Sequence, residues 1–184
     1  MKLTRIGCPV TVAVFMAAAL LMVGSSRAHA HTGNQSYVYV DLLSDRLEGR
    51  VEYLVKDLNE ALELDLVDDE TTALTQLERQ RPAIETYTRD HLALTFDDRQ
   101  VPLQFEEFEY LELSQGSYVV YHFTTGELPG GPPRVFTVDY SAFFELPEER
   151  TALLLIGRDW KNGVLANEAN HLSVFDEDRT RAQV

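Results

Sequence analysis

Histidine is the side chain best suited to ligate a metal or move a proton at neutral pH. Four histidines lie beyond residue 30: His31, His91, His122 and His171. No two of them stand at metal-ligand spacing, and no His-Glu-x-x-His pair occurs, so a centre that joins them has to be assembled by tertiary folding. His31 is a separate case. Ala28-His29-Ala30 fits the small-x-small rule for export cleavage, and cutting after Ala30 makes His31 the first residue. Its free amine and imidazole then chelate one metal ion together. Cutting after Ala28 instead leaves an amine, two backbone amides and His31, a square-planar set suited to copper or nickel. The metal-ligand candidates are therefore His31 first, then His122 and His171, and the ions are nickel or copper. His91 falls on the apolar face of a helical pattern and reads as a packing residue. His122 shares strand parity with Tyr118 and Val120, and faces either the core or a partner.

Carboxylates are the other abundant reactive groups, with 30 Asp and Glu in the chain. Pairs of them are unavoidable at that number and point to no glycosidase. The run Asp65 to Gln76 invites a calcium-loop test. Val67 stands at the third position, Glu70 at the turn glycine and Gln76 at the closing glutamate. The required oxygens and glycine are missing, so no tight calcium site is expected. The segment reads as a solvated acidic turn before a helix N-terminus, where carboxylates are favoured. There is no G-x-S-x-G elbow around Ser117. The Gly126 to Pro133 loop has no following helix or Lys-Ser/Thr to cradle phosphate. No catalytic or cofactor-binding residue is assigned, and the expectation is a non-enzyme.

The elements that position these residues follow from periodicity. Gln35 to Leu43 alternates and is rich in Tyr and Val, Ser44-Asp45 turns, and Arg46 to Val55 alternates again: an opening hairpin. Leu58, Ala61 and Leu62 then fit a short helix with Asp57 as N-cap. A second helix, capped by Thr71 or Thr72, runs through Leu74, Leu77, Ile84 and Tyr87 to His91, with a break or kink expected near Gln80–Arg81 because of Pro82. Strands are predicted at 93–96, 101–113, 117–124, 134–140, 152–156 and 172–175. Phe105, Phe108 and Tyr110 read as alternate faces of one strand. The fold class is α+β: an antiparallel β-sandwich with a helical insertion after the first hairpin.

Composition sets the address. Lys2 and Arg5, the apolar run Val10 to Val23 and the small residues up to Ala30 form a signal peptide, residues 1–30. The apolar run is shorter than the roughly 20 residues a spanning helix needs. The mature chain is then one β-rich extracytoplasmic domain, 31–178, with a charged tail, 179–184, in the periplasm or outside the cell. Cys8 is the single cysteine and leaves with the leader, so disulfides and thiolate chemistry are excluded. The formal net charge is −14. A surface that acidic repels nucleic acid and anionic lipid.

The AHAH leader end, SYVYVDLLSDRLEGRVEYLVKDLNEALELDL, the acidic helix-loop-helix and DYSAFFELPEERTALLLI resemble the extracytoplasmic N-terminal domain of HupE/UreJ-family membrane proteins. The resemblance covers roughly residues 28–178. It implies a periplasmic β-rich domain that precedes a nickel/cobalt permease-type membrane domain. The role it implies is an accessory or sensing one, with a membrane permease domain or another periplasmic protein as partner. The alternative is a free periplasmic copper- or nickel-binding protein that uses the N-terminal histidine. This chain departs from the pattern at Leu66 to Glu70, where relatives often carry a glycine-rich acidic loop, and the resemblance places a membrane domain shortly after the charged stretch Asp176 to Arg181.

Overall fold

The computed structural model describes residues 33–67, 69–128, 135–159 and 172–184, and residues 31–184 form one compact unit. Among the described residues the order is β1 (Gln35–Leu42), β2 (Leu47–Leu54), α1 (Val55–Leu62), α2 (Glu70–His91), β3 (Leu92–Phe96), β4 (Arg99–Val101), β5 (Gln104–Leu113), β6 (Gly116–Thr124), β7 (Phe136–Tyr140), β8 (Thr151–Asp159), β9 (Leu172–Phe175) and β10 (Arg181–Gln183). Two sheets form, β5-β6-β2-β1-β8-β9 and β10-β7-β3-β4. Every strand pairing is antiparallel except β1 with β8, which run parallel. The molecule is thus the expected α+β, sheet-rich fold with the helices inserted after the first hairpin.

Alternation decides which side chains go inside. In β1, Val38, Val40 and Leu42 point inward; in β2, Leu47, Val51 and Tyr53 do. They join Leu94, Phe136 and Val138 of the second sheet and Leu77 and Ile84 of α2 in one core cluster. The opposite parity, Tyr39 and Asp41 of β1 with Glu48, Arg50 and Glu52 of β2, lies on the outer face of the six-stranded sheet. Gly49 is required on β2 between its neighbours β1 and β6. A Cβ there would sit 2.5 Å from both Phe123 Cζ and the Tyr39 carbonyl oxygen.

Several local expectations are corrected. Asp57 does not cap α1; β2 runs straight into the helix, with Leu54 in the cap position and no side-chain cap bond. Asp57 is in the first turn, buried, with Arg150 Nε 3.0 Å from its Oδ1. The cap of α2 is Asp69, whose carboxylate accepts from Thr72 N at 3.0 Å, so the threonine donates instead of capping. Of the break or kink expected at Pro82, the break does not occur: α2 is continuous through Gln80–Arg81. Proline costs about 3 kcal/mol in a helix interior, but here it is on the exposed side while Leu77, Ile84 and Tyr87 anchor the other side. Arg81 also braces that turn through two bonds to Glu78, at 2.9 and 2.6 Å.

The predicted strand 101–113 is two strands in different sheets. Pro102 cannot donate to a ladder, so the chain leaves β4 there and enters β5, with the Leu103 carbonyl accepting from Arg89 Nη1 at 2.7 Å. A bulge between Phe105 and Phe108 then puts both rings on Tyr121, at 4.8 and 4.1 Å, instead of on alternate faces. Nor is 179–184 a tail. Residues 181–183 pair with β7, Ala182 is buried, and Arg181 grips Asp139 at 2.5 and 3.1 Å.

Candidate functional site

The histidines are not brought together as a metal centre in the described residues. His31, His171 and the leader, residues 1–30, lie outside those residues. His122 is on β6 in register with Arg50 of β2. Its Nε2 is 3.3 Å from Glu109 Oε1, but it is buried and makes no aligned hydrogen bond. No group of three His, Cys, Asp or Glu positioned to hold a metal ion occurs among the described residues. His91 packs: its ring centroid is 4.3 Å from that of Tyr87, and Nδ1 is 3.0 Å from Ser141 Oγ. In the acidic loop, the Asn59 amide bonds Leu66 N and O, and the Gln76 amide bonds Val67 N and Asp65 O. Gln76, at the calcium loop's closing-glutamate position, therefore ties the loop backbone.

The concave feature that stands out is on the outer face of the six-stranded sheet. It is a groove of about 840 Å³ that crosses β5, β6, β2, β1 and β8, within the size range of ligand pockets. Its centre is Arg50. The guanidinium lies 3.9 Å over the Tyr39 ring, and Nε donates to Glu52 Oε1 at 2.8 Å. A stacked, hydrogen-bonded arginine loses most of its rotamer freedom, so this platform is preorganised. Arg46, on the rim, bonds Glu48 at 2.7 Å and Asp45 at 3.2 Å. At the far end Gly157 makes room for an acid: a Cβ there would be 2.6 Å from Asp41 Oδ1. The β1–β8 register slips between Val40 and Asp41 at the same place.

Polar satisfaction is incomplete around this arginine. Two buried side-chain polar atoms among the described residues have no hydrogen-bond partner, Glu52 Oε2 and His122 Nε2. One belongs to the residue two along β2 from Arg50, the other to its cross-strand neighbour. Buried polar atoms are nearly always satisfied, so each exception calls for a cause such as strain, a catalytic role or a bound water or ion. The Tyr39 hydroxyl has its pKa raised, first by burial and then by the Glu52 charge. Tyr118 is pushed up to about 12, again by burial first and then by Glu52.

The remaining polar clusters hold the fold. Arg150 joins Asp57, Glu148 and Glu60 at 3.0, 3.1 and 3.7 Å. Tyr87 donates to Glu145 at 2.7 Å and accepts from Phe143 N at 2.8 Å. That second bond fixes a turn in which Phe143 takes the left-handed conformation, φ 70°.

Among the described residues, His122 is the sequence candidate that reaches the groove. Asp41, Tyr39 and Arg50 were missed. Their signal was the outer parity of the first hairpin, where polar and aromatic side chains recur at every second residue. No known protein-family model matches the chain, and no curated protein matches it.

Proposed function

We propose that the chain is an exported, non-enzymatic binding module, the accessory or sensing domain of a HupE/UreJ-type metal-permease membrane protein. The observation that carries the binding reading is the outer-face groove, with its preorganised Arg50–Tyr39 stack and two unsatisfied polar atoms beside it. Central strands supply its floor, which suits recognition because neighbouring strands hold them rigid. The strand-and-turn resemblance supplies the class of partner. No helix among the described residues is long and apolar enough to cross a membrane. In this reading the transport path is the partner's.

The test is site-specific photo-cross-linking in the cells that make the protein. A photoreactive residue at Thr124, inside the groove, is compared with one at Glu112, which is exposed and outside it. The expected result is an adduct from Thr124 alone with a multispanning metal permease, identified by mass spectrometry. Adducts only with soluble proteins, or equal adducts from Glu112, would overturn the accessory role. Retention of the chain in the cytoplasm with its leader attached would overturn export.

A further inference from the structure

The groove's chemistry narrows its ligand. Its two arginines are already neutralised: Arg46 by Asp45 and Glu48, Arg50 by Glu52. Its other acids, Asp41, Glu106 and Glu127, lie within ion-pair distance of no lysine or arginine side chain among the described residues. The open capacity is therefore for positive charge, and the chain's net charge of −14 adds a long-range attraction of the same sign.

Shape separates a peptide from a small cation. The groove touches five adjacent strands, from Glu106 on β5 to Gly157 on β8. Four inter-strand gaps at about 4.8 Å span about 19 Å, the length of about six extended residues. A lone ammonium or metal ion fills one end of such a trough. An extended chain with cationic side chains at alternate positions reaches Asp41 at one end and Glu106 at the other, with its backbone crossing over Arg50.

We infer that the outer-face groove binds an extended, arginine- or lysine-bearing peptide segment of a protein partner. Asp41, Glu106 and Glu127 receive its cations. This rests on the reading of the chain as a binding module and names the chemistry its groove recognises. Gly157 is a specificity determinant, because any side chain there displaces the Asp41 carboxylate.

The experiment uses the purified mature chain and fluorescence anisotropy. The probe is a labelled six-residue peptide of alternating arginine and serine, with a citrulline-for-arginine peptide as the uncharged match. The expected result is one-to-one binding that weakens with salt, and at least tenfold weaker binding of the citrulline peptide. Asp41→Asn and Gly157→Ala should each weaken the arginine peptide about tenfold, the size of one lost charge-assisted contact. Glu106→Gln should also weaken it while circular dichroism shows an intact fold. Glu112→Gln, at an exposed position outside the groove, should change affinity less than twofold. Equal binding of the two peptides, an equal loss from Glu112→Gln, or no binding would overturn the inference. If the peptide fails while Thr124 cross-links persist, the module reading survives and this ligand assignment falls. If the peptide binds as expected but Thr124 finds no permease, the ligand assignment stands and the partner class falls.

Discussion

Replacing Arg150 by methionine removes the cation that faces Asp57 in the interior, where the two side chains are only 3% and 2% exposed. Breaking a buried pair from one side costs about 3–5 kcal/mol because the remaining charge is stranded. The lower end, about 3 kcal/mol, applies at pH 7, since Asp57 can take up a proton. With a urea slope near 2 kcal/mol per molar, the unfolding midpoint should fall by about 1.5 M. The pH dependence carries the stronger test. Burial already raises the Asp57 pKa, with Arg150 the main opposing influence, so losing Arg150 raises it further. A carboxyl with a folded pKa above its unfolded value favours the folded state below the unfolded pKa. That contribution is lost as pH rises through the folded pKa. The Arg150→Met deficit, measured against wild type at each pH, should therefore shrink as pH falls from 7 towards 5. The reverse variant, Asp57→Ala, strands a guanidinium that stays charged at every pH. It retains Glu148 at 3.1 Å and Glu60 at 3.7 Å, and its deficit should stay flat. The double variant Asp57→Leu, Arg150→Met should come within about 1 kcal/mol of wild type or exceed it. A pH-independent deficit for Arg150→Met, or a double variant worse than either single one, would refute the reasoning.

Gly49→Ala should cost about 1–3 kcal/mol in thermal or urea unfolding, because the new Cβ meets both the Phe123 ring and the Tyr39 carbonyl; an unchanged midpoint would show that the sheet yields there. Burial is the main cause that raises the hydroxyl pKa values of Tyr53, Tyr87, Tyr121 and Tyr140. The stability this contributes is complete below the unfolded value near 10 and lost as pH rises above it. Absorbance at 295 nm should show these four titrating only together with alkaline unfolding, and early reversible titration of all 8 tyrosines would contradict their burial. If His31 becomes the N-terminus, copper or nickel should bind one-to-one by calorimetry and fade as pH falls through the imidazole range. His31→Ala or one added N-terminal residue should abolish it, and equal binding by both variants would place the metal elsewhere.

The hairpin was legible because Leu47, Val51 and Tyr53 share a parity that alternation reveals directly. The same alternation held the groove, since Tyr39, Asp41, Glu48 and Arg50 occupy the other parity. A polar strand face looks like an ordinary solvated one until the cross-strand register puts His122 beside Arg50 and Gly157 beside Asp41. Pro102 carried the sign of a strand ending, but the apolar and aromatic residues on both sides suggested continuity. The bulge at Phe105–Phe108 has no periodic signature at all, because one extra residue shifts every later side chain to the other face. Arg150 was not legible as the partner of Asp57, which is 93 positions away. Nor could the short pattern around Ala182 be told from a charged tail, because its strand character depends on β7. The local caps failed for a related reason. Asp57 and the threonines at 71 and 72 are good cap types, but tertiary pairing and a neighbouring aspartate took those positions.

If the outer-face groove is the working surface, amide and side-chain NMR shifts on titrating the isotopically labelled mature chain with the arginine peptide locate it directly. The expected changes are confined to the outer-face residues of β1, β2, β6 and β8, centred on Tyr39, Asp41, Arg50 and the His122 ring, and they saturate at one equivalent. Changes centred on α2 and its Arg81 and Arg89 contacts, on the β10-β7-β3-β4 sheet, or spread evenly over the acidic surface would contradict it.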